Sequence, residues 1–387
     1  MGKILKPSTR AATVAPFLVM DMLRQAATLA ASGEDIVHME AGQPSGPPPR
    51  LVVEAAQQAL LSDKIGYTES KGLPALRERI ARHYAETYNV TVDPDQVVVT
   101  TGSSGSFVLA FLAAFDAGDR VALTSPGYPA YRNIFNALGI HVADIATTAA
   151  DRWAPTVAAV QELVDGEGLD GLLVASPANP TGTMLKPGTL AALAAACARH
   201  GLWFISDEIY HGLDYAVPKA TALTTNHDAI VINSFSKYYC MTGWRIGWMI
   251  VPPSLVRTAE ILAQSLYISA PTLSQYAAIA AFDATQELEE RKALYAANRA
   301  FLLDALPGIG IDEFSPVDGA FYIYADVGRF TNDSFAFAQR MLKETGVAMT
   351  PGADFDTERG HRYLRMSFAG SQAEMEQAVS RLKTWLK

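Results

Sequence analysis

The chain has 387 residues, more than one hydrophobic core usually organises, so a large domain with a smaller companion is expected. Hydrophobic residues make up 49% and charged residues 18%, a balance that excludes a disordered chain. Set against 40 Asp and Glu, the 31 Lys and Arg leave a net charge of −9 without a basic block. That argues against nucleic acid and anionic membranes as partners, and any anionic ligand has to be held by a local site.

In chain order, the start from Met1 to Arg10 is polar and basic and lacks the apolar core of a secretory signal. No apolar run approaches the ~18–20 residues of a membrane span, so a cytoplasmic protein is expected. Pro47-Pro48-Pro49 leads into a helical pattern over 51–61. The middle of the chain then alternates two kinds of segment. Short β-branched runs at 96–100, 120–124, 171–175, 202–205, 229–233 and 246–251 read as buried strands. Helix-like patterns at 104–115, 130–138 and 189–199 lie between them. Such alternation implies an α/β fold with a mostly parallel sheet covered on both faces, and ligands outside the carboxyl ends of its strands. Beyond about Pro271 a long helical stretch runs over 275–306. A strand at 320–326, a helix at 333–344, a strand at 362–367 and a helix at 372–385 follow, as in a smaller α+β domain. The two cysteines, Cys197 and Cys240, read as packed thiols, neither a disulfide framework nor a metal-ligand cluster.

The residues just after each strand carry the chemical signals. Ser234-Phe-Ser-Lys237 follows the strand at 229–233, and Gly243-Trp-Arg-Ile-Gly-Trp holds Arg245 shortly after. Serine hydroxyls and a guanidinium suit a phosphate monoester, and a lysine beside them suits a Schiff base to a phosphorylated aldehyde. A lone lysine is more often a solvated charge. Ser206-Asp-Glu-Ile-Tyr210 follows the strand at 202–205. Asp207 there either caps the next helix or pairs with a pyridine nitrogen, which makes that ring an electron sink. Tyr210, and Asn179 in Ser176-Pro-Ala-Asn-Pro-Thr-Gly182, are placed to hydrogen-bond the ring's phenolate oxygen, although the second segment is also a turn signal in its own right. Thr100-Thr-Gly-Ser-Ser-Gly105 opens a helix and can face an anion, but it is neither a Walker nor a dinucleotide pattern. Tyr128, in Ser125-Pro-Gly-Tyr-Pro, suits stacking on an aromatic cofactor or a place in the core.

From about Ile36 to the C-terminus the ordered set of motifs resembles the class I/II aminotransferases, fold type I of the pyridoxal-phosphate enzymes. The set comprises Gly42-Gln-Pro, Tyr67 with Gly72-Leu-Pro-x-Leu-Arg77, Gly102-Ser-Ser, Pro126-x-Tyr128, Asn179-Pro-Thr-Gly, Asp207-Glu-x-Tyr210, Ser234-x-Ser-Lys237, Gly243-x-Arg245-x-Gly and Arg365-x-Ser. The resemblance implies pyridoxal 5′-phosphate as cofactor and Lys237 as the amine that joins it and moves the substrate proton. It implies Asp207 as the ring-nitrogen partner, Asn179 and Tyr210 as ligands of the ring hydroxyl, and Tyr128 as the stacking residue. Ser103, Ser104, Ser234, Ser236 and Arg245 would form the phosphate site. Tyr67 would be lent across a homodimer interface. Arg365, with Asn179 and the backbone of Gly42, would grip the substrate carboxylate. No metal is implied.

The expected reaction moves the amino group of an α-amino acid to a 2-oxo acid, 2-oxoglutarate foremost, by a ping-pong mechanism. Carbon–sulfur β-lyase or decarboxylase chemistry on the same fold, and a cofactor-sensing regulator, are the alternatives. Related bacterial aspartate-specific enzymes carry a lysine in the region matched by Ser104. None stands here, which speaks against aspartate as substrate. The expected organisation is a segment 1–45 shared between small domain and dimer interface, a large cofactor domain 46–280 and a small domain 281–387.

Overall fold

The computed structural model describes residues 5–62 and 65–387; residues 1–4 of the polar start lie outside the described residues. Its strands are β1 (Val37–His38), β2 (Val97–Thr100), β3 (Arg120–Ser125), β4 (His141–Ala146), β5 (Gly171–Ala175), β6 (Trp203–Asp207), β7 (Ile230–Ser234), β8 (Gly247–Ile250), β9 (Tyr322–Asp326), β10 (Val347–Ala348), β11 (Thr350–Pro351) and β12 (Tyr363–Ser367).

Seven of these form one sheet in the order β2-β8-β7-β6-β5-β3-β4. Strand β8 runs antiparallel to both neighbours, and every other pairing is parallel. The β-branched runs lack a polar alternation because both faces are covered. Val99, Val174, Phe204 and Val231 face one buried cluster, while Val98, Leu173, Ile205 and Ile232 face another. The α/β fold with a mostly parallel, doubly covered sheet is therefore the one the sequence pattern implies. Edge strand β4 and the helices Val157–Asp165 and Pro253–Leu266 are additions to that reading. Strand β4 carries exposed His141, Asp144 and Ala146, which blurs its apolar signal.

The second body of the molecule is a three-stranded antiparallel sheet, β11-β12-β9, with β1 and β10 paired beside it. Met22, Ala26, Val37 and Met39 from the N-terminal segment pack in one core with Tyr295, Leu302, Ile323, Leu364 and Met375. Two of its helices start where the sequence supplies side-chain caps. Asp333 accepts from Ala336 N–H ahead of helix Ser334–Thr345, and Ser371 with Glu374 forms a capping box on helix Gln372–Trp385.

One expected element is corrected. The single helical stretch over 275–306 is two helices, Thr272–Ala281 and Thr285–Ala305. The chain turns between them because Phe282, Ala284 and Leu288 are all buried in the core of the large sheet. Phe282 packs 5.3 Å from Phe235 and 6.2 Å from Trp248, ring centre to ring centre. The core of the large part thus reaches Leu288, past residue 280.

Candidate active site

The loops after β3, β5, β6 and β7 converge with the start of helix Gly102–Ala114, which follows β2, around a cavity of about 300 Å³. Lys237 is placed by a fixed turn. The buried Ser234 hydroxyl donates its one proton to the Ile246 carbonyl at 3.0 Å, and it accepts the Ser236 hydroxyl at 2.9 Å and the Ser236 N–H at 3.1 Å. Ser236 consequently faces the cavity, whereas Ser234 lies behind it and supports the turn. The half-buried Lys237 amine donates to the Gly42 carbonyl. Burial, then the positive charges of Arg365 and Arg245, push this amine down to about 8, with Asp207 acting in the opposite direction. Near neutral pH a useful fraction is then an uncharged nucleophile.

Asp207 ends β6 and is buried. Its Oδ1 accepts the Ile209 N–H at 3.0 Å, and its Oδ2 accepts the Tyr131 hydroxyl. Burial raises its carboxyl to about 6, while the bonds from Tyr131 and Ile209 and the charge of Lys237 pull the other way. Tyr210 and Tyr322 share a hydroxyl–hydroxyl bond of 2.8 Å. Tyr128 lines the same cavity, 5.3 Å and nearly perpendicular to Tyr131.

At one end the backbone comes unusually close to the side chains. Gly102 has φ +76°, and a Cβ there would lie 2.7 Å from Arg245 Nη2. A Cβ on Gly247 would sit 2.9 Å from the Ser103 nitrogen. Only glycines allow this approach. Ser103, Ser104, Ser236, Thr242 and Arg245 line this end, at the N-terminus of helix Gly102–Ala114. Hydroxyls, a guanidinium and a helix N-terminus are together the groups that suit an anion.

At the opposite end Arg365 projects from β12 and is 3% exposed. Its Nη1 donates to Asn179 Oδ1 at 3.0 Å, and its Nη2 donates to the Glu40 carbonyl at 2.6 Å and Thr350 Oγ1 at 3.1 Å. Its buried Nε has no protein partner. A Cβ on Gly42 would fall 2.7 Å from the Tyr322 hydroxyl and 3.8 Å from Arg365 Nη2.

The remaining wall is apolar. Phe17, Val19, Met20 and Leu23 enter the cavity from helix Leu18–Ala31 and the residue before it. That helix has no cap of its own. Instead the two carboxylate oxygens of Asp354 accept the N–H groups of Leu18 at 2.8 Å and Val19 at 3.2 Å. Asn133 clasps the preceding strand of chain by bonding both the N–H and the C=O of Ala15.

Of the residues singled out in the sequence, Gly42, Ser103, Ser104, Tyr128, Asn179, Asp207, Tyr210, Ser236, Lys237, Arg245 and Arg365 meet in this cavity. Ser234 stands behind the lining, and Tyr67 lies outside it at 83% exposure. Tyr131, Thr242 and Tyr322 line the cavity without having been anticipated. Tyr131 and Thr242 sit close in sequence to recognised motifs, whereas Tyr322 lies in β9 away from any, and nothing local marks a core-like tyrosine as a ligand.

The set fits a phosphorylated aromatic aldehyde. An anion cradle that a Cβ would fill, a depressed lysine amine, a buried carboxylate and an aromatic ring bound a single space. Comparison with known proteins agrees. Residues 34–382 match the family described as aminotransferase class I and II, and the chain belongs to that family. It is 50% identical over 379 residues to a valine–pyruvate aminotransferase of Mycobacterium tuberculosis, covering 97% of each chain. It is 32% identical to an aspartate aminotransferase of Thermotoga maritima, covering 95% of this chain and 96% of the other. Among solved structures it superposes on an aminotransferase from Mycobacterium tuberculosis with a TM-score of 0.97 at 49% identity, covering 99% of both chains. Aspartate aminotransferase from Thermus thermophilus with maleate gives 0.93 at 29% identity, covering 98% of this chain and 100% of that one. The protein is a transaminase, and pyridoxal 5′-phosphate is its cofactor. The lyase, decarboxylase and sensor readings give way to that result. Among the described residues no helix is long and apolar enough to cross a membrane.

Proposed function

We propose that the enzyme transfers the amino group of a small apolar α-amino acid, of the valine type, to a short 2-oxo acid such as pyruvate, in a ping-pong cycle. The observation that carries this is the division of the cavity. One end has a buried guanidinium with an unpartnered Nε, and the wall bearing Phe17, Val19, Met20 and Leu23 is apolar. The cations lining the cavity are Lys237, Arg245 and Arg365, each with a place in the scheme below. None is left for a distal carboxylate, which disfavours 2-oxoglutarate as acceptor and agrees with the serine at position 104. The likeness to a valine–pyruvate aminotransferase points the same way.

When bound, pyridoxal 5′-phosphate supplies the carbonyl carbon and the electron-accepting ring. Ser103, Ser104, Ser236, Thr242 and Arg245 would hold its phosphate. Ser234 would contribute indirectly, by fixing Ser236. Asp207 would pair with the ring nitrogen and favour its protonated form. Tyr210 and Asn179 would hold the ring oxygen, and Tyr128 would stack on the ring. Arg365 grips the substrate carboxylate, beside Asn179 and the Gly42 backbone. Lys237 would take the substrate Cα proton and return it one atom away. Its lowered basicity suits both halves of that transfer.

A second copy completes the proposal. Leu60, Leu61, Ile65, Tyr67 and Ile268 are exposed apolar side chains that a covering copy would bury. Tyr67 then reaches the partner's phosphate end. The division at 1–45, 46–280 and 281–387, with the core extending to Leu288, and a cytoplasmic location belong to the same reading. A panel of amino donors tested against pyruvate and 2-oxoglutarate decides the substrate. Valine with pyruvate should give the highest kcat/KM, and a preference for aspartate with 2-oxoglutarate would refute the assignment.

A further inference from the structure

Tyr131 is the third residue of helix Pro129–Leu138 and is 5% exposed. Its ring stands edge-on to Phe107 at 5.0 Å and to Tyr128 at 5.3 Å, so the aromatic packing alone accounts for its position. The hydroxyl does something further. It reaches across to β6 and donates to Asp207 Oδ2, while Oδ1 takes the Ile209 N–H. Each oxygen of this buried carboxylate therefore has one protein donor, and Oδ2 depends on a side chain that no motif of the sequence marked.

We propose that Tyr131 is a positioning residue, whose hydroxyl holds Asp207 in the orientation and charge state needed to pair with the ring nitrogen of the cofactor. The inference rests on the reading of Asp207 as that partner. A buried carboxylate pays a desolvation cost that only donors and cations offset. For Asp207 burial is the largest influence and raises its carboxyl to about 6, and the Tyr131 bond is the first of those opposing it. Burial and the nearby Asp207 charge push the Tyr131 hydroxyl well above 10, so it remains a donor across the working range. Without that hydroxyl Asp207 holds a proton to higher pH. A protonated Asp207 no longer favours a positive ring nitrogen.

Tyr131→Phe removes one oxygen and keeps the ring that packs on Phe107 and Tyr128. The measurement is pyridoxal 5′-phosphate affinity of the cofactor-free full-length chain, with the pH profile of kcat/KM for the reconstituted enzyme. Both are taken in the parent, Tyr131→Phe, Asp207→Asn and the double variant. A thermal melt of each cofactor-free protein shows that it is folded. Tyr131→Phe should weaken cofactor binding about 10- to 100-fold, the usual worth of a hydrogen bond to a charged group. It should also move the acid limb of the profile upward by about one pH unit. In the Asp207→Asn background the same change should alter affinity less than about threefold, because the bond acts through the carboxylate. If Asp207→Asn leaves cofactor affinity intact, the assignment of Asp207 falls and the proposal with it. If Asp207→Asn weakens binding but Tyr131→Phe neither weakens it nor moves the acid limb, or weakens it equally in both backgrounds, the assignment of Asp207 stands and the role of Tyr131 is overturned.

Discussion

The guanidinium of Arg365 lies over the ring face of Tyr322, 4.4 Å from its centroid, while the Tyr322 hydroxyl bonds that of Tyr210. The residue assigned to the substrate carboxylate and the residue assigned to the cofactor oxygen therefore share one aromatic neighbour. Phe355 closes over Arg365 at 4.9 Å. A planar cation between two rings, fixed by Asn179, Glu40 and Thr350, is preorganised for two-pronged binding.

Arg365→Lys should lose most of that binding even though charge is retained. Truncating one member of a buried, hydrogen-bonded charge pair costs about 2–5 kcal/mol, which is roughly 30- to 5,000-fold in kcat/KM. Arg365→Ala should fall in the same range, and both variants should still hold pyridoxal 5′-phosphate. Steady-state kinetics with valine, set beside 2-methylpropylamine, measures it. The amine, which lacks a carboxylate, should be handled alike by parent and variants.

Asp354 serves as a cap supplied from elsewhere in the chain, bonding the first N–H groups of helix Leu18–Ala31. Asp354→Ala should cost about 1 kcal/mol, the usual worth of a cap. Because that helix carries the apolar wall, the kinetic effect should fall on KM for valine, by several-fold, more than on kcat. Alanine as donor, which reaches less of the wall, should be affected less.

The lysine at the centre of the site has a consequence for stability. With the Lys237 amine at about 8 in the fold against about 10.5 free, the folded chain disfavours the charged form. The penalty is fully present below pH 8 and is relieved as pH rises from there toward 10.5. Lys237→Met should therefore stabilise the cofactor-free protein near pH 7, by roughly 1–2 kcal/mol once partial exposure is discounted, and the gain should shrink above pH 8. Urea unfolding of both cofactor-free proteins at pH 7 and pH 9.5 gives the comparison.

Leu61 and Tyr67 are each 83% exposed, on the surface assigned to a second copy. Leu61→Glu should shift sedimentation toward monomer and reduce activity in proportion. Tyr67→Phe should leave assembly intact and weaken cofactor binding by about tenfold or less, as for one lost hydrogen bond to phosphate. A fully active monomer would refute the shared site.

Much of the architecture was legible because both faces of the large sheet are buried. β5 carries no polar residue, so its limits coincide with its apolar run at 171–175. The strand ends then marked Lys237, Asp207, Asn179 and Tyr128 as cavity residues. What stayed hidden depended on contacts distant in sequence. Tyr131 meets Asp207 across 76 residues, and Asp354 meets Leu18 across 336. The turn at Phe282 was hidden for a similar reason. Its helical period continues on both sides, and only packing against Phe235 and Trp248 requires the break.

The most direct test of transamination through Lys237 is a half-reaction with the acceptor left out. The enzyme loaded with pyridoxal 5′-phosphate is mixed with valine alone, and the products are followed by mass spectrometry alongside the cofactor's visible absorbance. One equivalent of 3-methyl-2-oxobutanoate per site should form and the absorbance should fall. No ammonia or carbon dioxide should be released, and pyruvate should restore the absorbance with one equivalent of alanine. Lys237→Ala should do none of this. Continued release of ammonia or carbon dioxide without an acceptor, or an undiminished half-reaction in Lys237→Ala, would contradict the mechanism.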